Sequence, residues 1–125
     1  MKKNPPGKLN LSGKVVKGNR IGGKIGSPTI NLDGDFDLEY GIYACRVMTS
    51  RGEYLGAMHY GPRLTLNEQN PVMEICLLDF EGDLYGETVS VEVYNRIRDV
   101  KKFAGLKALS RRIEKDIEFI RKNYA

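Results

Sequence analysis

The chain has 125 residues, of which 41% are hydrophobic and 29% are charged, with a formal net charge of +4. This length gives one domain that can bury a core without disulfides or a structural metal. No apolar run is long enough to span a bilayer, and Cys45 and Cys76 lie in apolar, strand-like runs without C-x-x-C spacing. We therefore expect a cytoplasmic monomer with buried free thiols and no membrane association.

The positive charge leaves open an anionic ligand, for which ATP and nucleic acid both qualify. The cations are interspersed with acidic residues, and the sequence has no Trp, no RNP-like aromatic pair and no zinc knuckle. We therefore expect small molecules, and not nucleic acid, as partners.

The chain begins with a polar, proline-rich stretch, and residues 1–12 are expected to form a flexible lead-in. A short strand at residues 13–17 then enters the glycine-rich segment 18–31, GNRIGGKIGSPTIN. Glycines allow positive φ angles and let a ligand approach backbone N–H groups, and here they lie beside Arg20 and Lys24. Such a loop suits a polyphosphate.

This segment is not a P-loop, although residues 18–24 spell G-x-x-x-x-G-K. Ile25 stands where the magnesium-binding Ser or Thr of a P-loop belongs. Pro28 then favours an extended chain, so no helix N-terminus is available to a phosphate. In an extended chain, Thr29 and Asn31 point to the same side.

The middle of the chain predicts strands joined by tight turns, at residues 40–48, 53–60, 72–80 and 87–95. In the last of them, valines alternate with polar residues, which predicts a sheet with one dry face; these valines are Val89, Val91 and Val93.

The end of the chain is helical, because apolar residues recur there at three- and four-residue spacing: Phe103, Leu106, Leu109, Ile113, Ile117 and Ile120. The charged residues between them, Asp116 included, are expected to form a solvated face. About six strands and one helix suggest a small antiparallel barrel closed or plugged by that helix, although patterning alone does not separate a barrel from a sandwich.

Glu74 interrupts the strand at residues 72–78, which is apolar on both faces. A carboxylate in such surroundings is costly unless it is paired, protonated or open to a polar pocket, and burial raises its pKa toward the range of a general base. The alternative is a structural glutamate paired with Arg46, Arg63 or Arg98. The residues alone leave both interpretations open.

Three segments together resemble the riboflavin kinase (flavokinase) family, whose signature runs roughly G-x-V-x-x-G-x-x-x-G-x-x-L-G-x-P-T-A-N. The residues that fall on this signature are Gly13, Val15, Gly18, Gly22, Gly26, Pro28, Thr29 and Asn31. Glu74, followed by the D-L-Y-G of residues 83–86, is similar to the family's Glu strand and D-(F/L)-Y-G element. Residues 95–103 resemble its L-R-x-x-x-x-F segment. The resemblance implies a mainly β domain over residues 13–125, a six-stranded antiparallel Greek-key-like barrel with one C-terminal α-helix.

The resemblance also implies a function, the ATP-dependent phosphorylation of the riboflavin 5′-hydroxyl to give FMN. Glu74 would be the general base, and Mg²⁺ would be held by Thr29 and Asn31. The ATP-binding residues that it implies are Gly18, Gly22, Lys24, Gly26, Thr29, Leu77 and Tyr85. The flavin-binding residues would be Arg98 and Phe103.

Some positions depart from the family pattern. Gly23 stands where a cation is common, Ser27 where an apolar residue is usual, and Val100 where many members have Glu. They motivate a rival hypothesis, a non-catalytic flavin- or nucleotide-binding regulatory barrel. His59 has no place in the kinase scheme, and we interpret it as a structural strand residue. No FAD synthesis is expected of the chain.

Overall fold

The computed structural model describes residues 9–17 and 28–125, which contain six strands and one α-helix. The elements are β1 (Leu9–Val16), β2 (Thr29–Leu32), β3 (Gly41–Thr49), β4 (Gly52–Pro62), β5 (Pro71–Leu77), β6 (Thr88–Arg98) and α1 (Leu106–Tyr124). The strands pair antiparallel and close into a barrel in the order β1-β2-β5-β4-β3-β6. Because β6 returns to lie between β3 and β1, the topology is Greek-key-like. The expected six-stranded antiparallel barrel with a C-terminal helix is confirmed.

The first strand begins at Leu9, earlier than the strand expected from Gly13. In the β1–β6 pair, Leu9 lies opposite Val93 and Leu11 lies opposite Val91, and both leucines pack against the barrel core. The start of β1 therefore has one apolar face, formed by Leu9 and Leu11. The sequence prediction missed this face because the preceding residues are polar and rich in proline. The part of the expected lead-in before Leu9 lies outside the described residues.

The barrel interior is filled by alternate side chains of all six strands. Val89, Val91 and Val93 are almost fully buried there, so the dry face predicted for β6 is confirmed. The other fully enclosed interior side chains include Cys45, Val47, Met58, Ile75, Leu77 and Leu84. Removing a side chain of this size from water contributes roughly 1.5–3 kcal/mol, so this interior dominates the stability of the fold.

The helix α1 covers the outer face of the barrel. Ile120 is fully buried against Ala44, Ala57 and other outward-facing residues, and the rings of Tyr94 and Tyr124 stack at 5.4 Å. Patterning suggested a helix that closes or plugs the barrel, but strand pairing closes it and the strands fill the interior themselves. The small side chains Ala44 and Ala57 let the helix approach the sheet closely.

The strand β6 continues to Arg98, beyond its expected end at Asn95. It pairs with β3 through two register shifts, one of them between Ile42 and Tyr43, and Arg98 is the partner of Ile42. Such irregularities bend a strand and redirect its side chains. The end of β6 thereby brings Arg98 beside the helix.

Candidate functional site

A pocket opens on the outer face of the barrel, where β2, β5 and β4 lie side by side. Its floor consists of outward-facing side chains of these strands: Thr29, Ala57, His59, Glu74 and Cys76. Its walls come from the segments after β4 and β6 and from α1: Arg63, Leu64, Thr65, Leu66, Arg98, Val100, Lys101, Phe103, Leu109, Ile113 and Asp116. The pocket is therefore largely apolar, with a few charged groups.

Strand register sets the polar floor of the pocket. On β2, Ile30 and Leu32 are buried in the barrel, so Thr29 and Asn31 face outward as predicted. Asn31 is the Cα partner of Glu74 in the β2–β5 pair. Directly paired residues of an antiparallel sheet project from the same face, so the amide and the carboxylate are close neighbours. Asn31 also lines a second, adjoining depression in the surface.

Glu74 presents a buried carboxylate. Its side chain is 14% exposed, and its Oε2 atom has no hydrogen-bond partner. Burial raises the pKa of Glu74 above its ordinary value; the positive charge of Arg63 opposes this shift, and the negative charge of Glu68 adds to it. An acceptor with an elevated pKa and a free oxygen has the properties of a general base.

The three arginines considered as partners of Glu74 do not make a close ion pair with it. Arg46 Nε donates to the Tyr94 hydroxyl at 2.8 Å, and Arg98 binds a residue of α1. Arg63 Nη1 lies 4.0 Å from Glu74 Oε2, which is beyond hydrogen-bond distance. Glu74 thus lines the pocket and also has Arg63 as a neighbouring opposite charge.

Arg63 is a site residue that the sequence did not single out for function. It lines both the main pocket and the adjoining depression, and its Nε donates to Glu68 Oε1 at 2.8 Å. The pairing restrains a guanidinium beside the general-base candidate. Its place on the chain just after β4 gave no such signal, because only the folded register brings it toward Glu74.

His59 also lies in the floor, as the Cα partner of Glu74 in the β4–β5 pair. Burial lowers the pKa of His59; hydrogen bonds to the carbonyls of Gly61 and Pro62 act in the opposite direction. Nε2 lies 3.0 Å from the Gly61 carbonyl oxygen, so this nitrogen carries the hydrogen and donates. His59 is a strand residue as predicted, and it also forms part of the pocket surface.

Arg98 and Phe103 meet in the pocket wall, where the guanidinium carbon lies 5.7 Å from the ring centroid. Arg98 Nε donates to both carboxylate oxygens of Asp116 at 3.1 Å, and Nη2 donates to Oδ2 at 2.8 Å. The two residues that the resemblance assigns to the flavin are therefore brought together. Both residues line the same pocket as Glu74.

Asp116 was expected on a solvated helix face, but it is 3% exposed. The expectation was wrong because its side of α1 turns toward the end of β6, where Arg98 neutralises the carboxylate. A signal was present in the sequence. Asp116 lies between Ile113 and Ile120 at helical spacing, and so it interrupts the apolar stripe itself.

The two segments that wall the pocket are joined to each other. Thr65 Oγ1 accepts a hydrogen bond from the backbone N–H of Phe103 at 3.0 Å. Lys102 Nζ donates to Asn67 Oδ1 at 2.8 Å on the exposed side. These bonds hold the chain after β4 against the chain after β6 and so shape the mouth of the pocket.

Two other expected nucleotide contacts, Leu77 and Tyr85, do not line this pocket. The Leu77 side chain is 1% exposed and packs in the barrel interior, while its N–H donates to the Pro28 carbonyl at 3.0 Å. Tyr85 is 58% exposed, and Lys17 Nζ lies 5.8 Å from its ring centroid. The glycine-loop residues Gly18, Gly22, Lys24 and Gly26 lie outside the described residues, as do Gly23 and Ser27.

The donors on this face suit a hard cation. Thr29, Asn31 and Glu74 offer hydroxyl, amide and carboxylate oxygens, the ligand types that Mg²⁺ accepts together with water and phosphate. The oxygen without a hydrogen-bond partner, Glu74 Oε2, fits such an environment. In the described part of the chain, no cluster of three or more His, Cys, Asp or Glu forms a metal site from protein ligands alone.

Within residues 9–17 and 28–125, no helix is both long enough and apolar enough to cross a membrane. Cys45 and Cys76 are both buried free thiols.

Comparison with known proteins places this geometry in context. The chain is 34% identical over 116 residues to the RNA-binding riboflavin kinase RibR of Bacillus subtilis, an alignment that covers 91% of this chain and 50% of that protein. It is 38% identical over 111 residues to the bifunctional riboflavin kinase/FMN adenylyltransferase of Haemophilus influenzae, covering 86% of this chain and 36% of the relative. The chain thus spans half or less of the length of these relatives. Because one of them is named as RNA-binding, the expected lack of nucleic-acid partners stays a prediction.

Solved structures give the same picture of the fold. A crystal structure of riboflavin kinase from Trypanosoma brucei matches with a TM-score of 0.63 and 27% identity, over 90% of this chain and 77% of that one. A crystal structure described as a macrolide-efflux protein from Streptococcus pneumoniae matches with a TM-score of 0.80 and 35% identity, over 94% of this chain and 39% of that one. The family model for riboflavin kinase, Flavokinase, matches residues 6–124. The chain therefore belongs to the riboflavin kinase family.

Proposed function

We propose that this chain transfers the γ-phosphoryl group of ATP to the 5′-hydroxyl of riboflavin, giving FMN and ADP. The observation that carries the proposal is the Glu74 carboxylate, which lines a pocket walled by Arg98 and Phe103 and has an Oε2 without a hydrogen-bond partner. Membership of the riboflavin kinase family supports the choice of substrates.

Glu74 acts as the general base in this scheme. It accepts the proton of the ribityl 5′-hydroxyl as the oxygen forms a bond to the γ-phosphorus, while the bond from that phosphorus to the bridging oxygen of ADP breaks. The raised pKa of Glu74 makes it a better proton acceptor than an ordinary surface carboxylate. Phosphoryl transfer otherwise depends on placement and charge stabilisation more than on covalent chemistry.

The wall of the pocket opposite the floor receives the flavin. Its lining is mostly apolar, and Phe103 with the guanidinium of Arg98 offers flat surfaces to the ring system. In this orientation the ribityl chain extends over the floor toward Glu74. Thr65 and the segment after β6 close the sides, which excludes water from the reacting oxygen.

The nucleotide lies on the β2 side, with Thr29 and Asn31 as the residues that hold Mg²⁺. When bound with ATP, the ion neutralises charge on the phosphates. Gly18, Gly22, Lys24 and Gly26 remain our proposed cover over the phosphates, from the sequence signature. Tyr85 remains a proposed adenine contact, which its exposed ring supports, whereas the Leu77 side chain is enclosed in the barrel interior and is not available for that role.

The test is direct conversion by the purified chain. Incubation with riboflavin, ATP and Mg²⁺ should give FMN and ADP in equal amounts, separated by chromatography. Omitting ATP or adding a chelator in excess over Mg²⁺ should each stop FMN formation. Tight riboflavin binding without FMN formation would refute the proposal and support the regulatory barrel.

A further inference from the structure

Asp116 is the buried charged residue of the barrel–helix interface. Among the described residues, it is the only Asp, Glu, Lys or Arg that is buried as a whole residue, at 3% exposure. A buried carboxylate is unfavourable unless partners compensate it, and here Arg98 binds both oxygens while Arg112 Nε lies 3.3 Å from Oδ1. Anchoring the helix does not by itself explain why this carboxylate is buried.

The hydrogen bonds of Arg98 show what Asp116 does to it. A guanidinium has five N–H donors. The Nε–H and one hydrogen of Nη2 go to Asp116, and one hydrogen of Nη1 goes to the Asp99 carbonyl oxygen at 3.1 Å. One N–H therefore remains on each terminal nitrogen. Arg98 lines the pocket, and these two donors are not used by other described residues.

We infer that Asp116 is a positioning residue for the flavin, which acts through Arg98. By occupying the Nε side of the guanidinium, Asp116 leaves the two terminal nitrogens for oxygen acceptors on the ligand. The same bonds keep the guanidinium over the Phe103 ring. The terminal nitrogens of Arg98 and the Phe103 ring together suit a flat ring system that carries a carbonyl or phosphate oxygen on its periphery. The inference rests on the proposed function, because it takes riboflavin as that ligand.

A second ion pair between helix and barrel shows that anchoring needs no such burial. Arg121 donates to both carboxylate oxygens of Asp79, at 2.7 and 2.9 Å, and both side chains are exposed and outside the pocket. Both arginines bind both oxygens of their carboxylate, but only Arg98 and Asp116 line the pocket. Asp79→Asn is therefore the matched control for Asp116→Asn.

The first experiment measures riboflavin affinity by quenching of flavin fluorescence, without ATP. Asp116→Asn should weaken riboflavin binding by about 10-fold, the size expected for loss of a charge-assisted hydrogen-bond pair. Asp79→Asn should leave it unchanged. The affinity for ATP and the KM for ATP should be the same in both variants as in the unmodified chain. Equal riboflavin affinity in Asp116→Asn and the unmodified chain would overturn the inference.

A double-mutant cycle separates positioning from general support of the fold. In Arg98→Lys the planar fork is lost, so adding Asp116→Asn to it should weaken riboflavin binding little further. Additive losses would mean that Asp116 acts independently of Arg98, and would refute the inference. If Asp116→Asn does not fold, Asp116→Glu provides the test: it keeps the charge on a longer stem, and unchanged affinity for both riboflavin and ATP would count against positioning.

These measurements also separate this inference from the proposed function. A chain that binds riboflavin without forming FMN refutes the kinase proposal while the Asp116 effect on binding is still measurable. A chain that forms FMN but is indifferent to Asp116→Asn refutes only the positioning role. A chain that does not bind riboflavin refutes both.

Discussion

Arg63 Nη1 lies 4.0 Å from Glu74 Oε2, so a cation and a buried carboxylate are neighbours without a hydrogen bond between them. The attraction lowers the pKa of Glu74, but burial raises it more. The base candidate is thus tuned by two opposing effects. Each effect can be changed separately by substitution.

Replacing Glu74 with Gln should remove the base. General acid–base groups contribute roughly 10²–10⁴-fold to rate, so kcat for FMN formation should fall at least about 100-fold. ATP binding should be retained, because the substitution preserves the shape of the side chain. Near-normal turnover in Glu74→Gln would exclude Glu74 from the mechanism.

The same substitution should stabilise the fold at pH values above the folded-state pKa of Glu74. The raised pKa of Glu74 means that folding favours its protonated form, so ionisation destabilises the native state as the pH rises through the folded-state pKa. Replacing the buried charge with a neutral amide relieves a desolvation cost on the order of 1 kcal/mol, or a few degrees in Tm. The gain of Glu74→Gln should be largest above the folded-state pKa of Glu74 and should shrink as the pH falls below it, as thermal unfolding at several pH values will measure. A gain that grows toward acid pH would contradict the assigned shift.

Removing Arg63 should move the acid limb of the pH–rate profile. Arg63→Gln takes away the charge that lowers the pKa of Glu74, while the charge of Glu68, which raises it, is still present. The acid limb of kcat/KM should therefore shift to higher pH. Arg63→Lys keeps the charge and should shift it less. An acid limb that stays in place in Arg63→Gln would show that another group titrates there.

The link between the two pocket walls should affect riboflavin more than ATP. Thr65→Ala deletes the acceptor of the Phe103 N–H, a bond of about 1 kcal/mol. The KM for riboflavin should rise several-fold, with little change in the KM for ATP. Lys102→Ala removes only an exposed bond to Asn67 and should have a smaller effect. Equal KM changes for both substrates in Thr65→Ala would argue against a local role.

The alternation of apolar and polar residues predicted most of the barrel strands, because a strand with one buried face places every second side chain in the core. It placed the valines of β6 correctly and implied that Thr29 and Asn31 share a side. The same rule accounts for Leu77: it is in phase with Met73 and Ile75, and it therefore faces the interior with them, opposite to Glu74. The family signature had suggested a nucleotide contact at Leu77.

The site was only partly predictable, since strand register cannot be seen in a single sequence. Glu74 stood out as a charge in an apolar run, but its proximity to Asn31 and His59 depends on the β2–β5 and β4–β5 pairings. Arg63 belongs to a connecting segment and becomes a site residue only through the fold. Asp116 could have been noticed, as an acid within the apolar stripe of α1.

The floor of the pocket depends on close packing beneath it, and Gly56 provides a test. A Cβ at Gly56 would lie 2.8 Å from Ile75 Cγ2 and 3.1 Å from Cys45 Sγ, inside the filled barrel. Gly56→Ala should therefore destabilise the fold by roughly 1–3 kcal/mol, as overpacked cores do. Gly105→Ala is the control, because no atom lies within 4 Å of its added Cβ and its φ of 173° is extended. Denaturant unfolding should show a lower midpoint for Gly56→Ala and little change for Gly105→Ala. Equal midpoints for the two variants would mean that the strands adjust and that the floor is not rigidly packed.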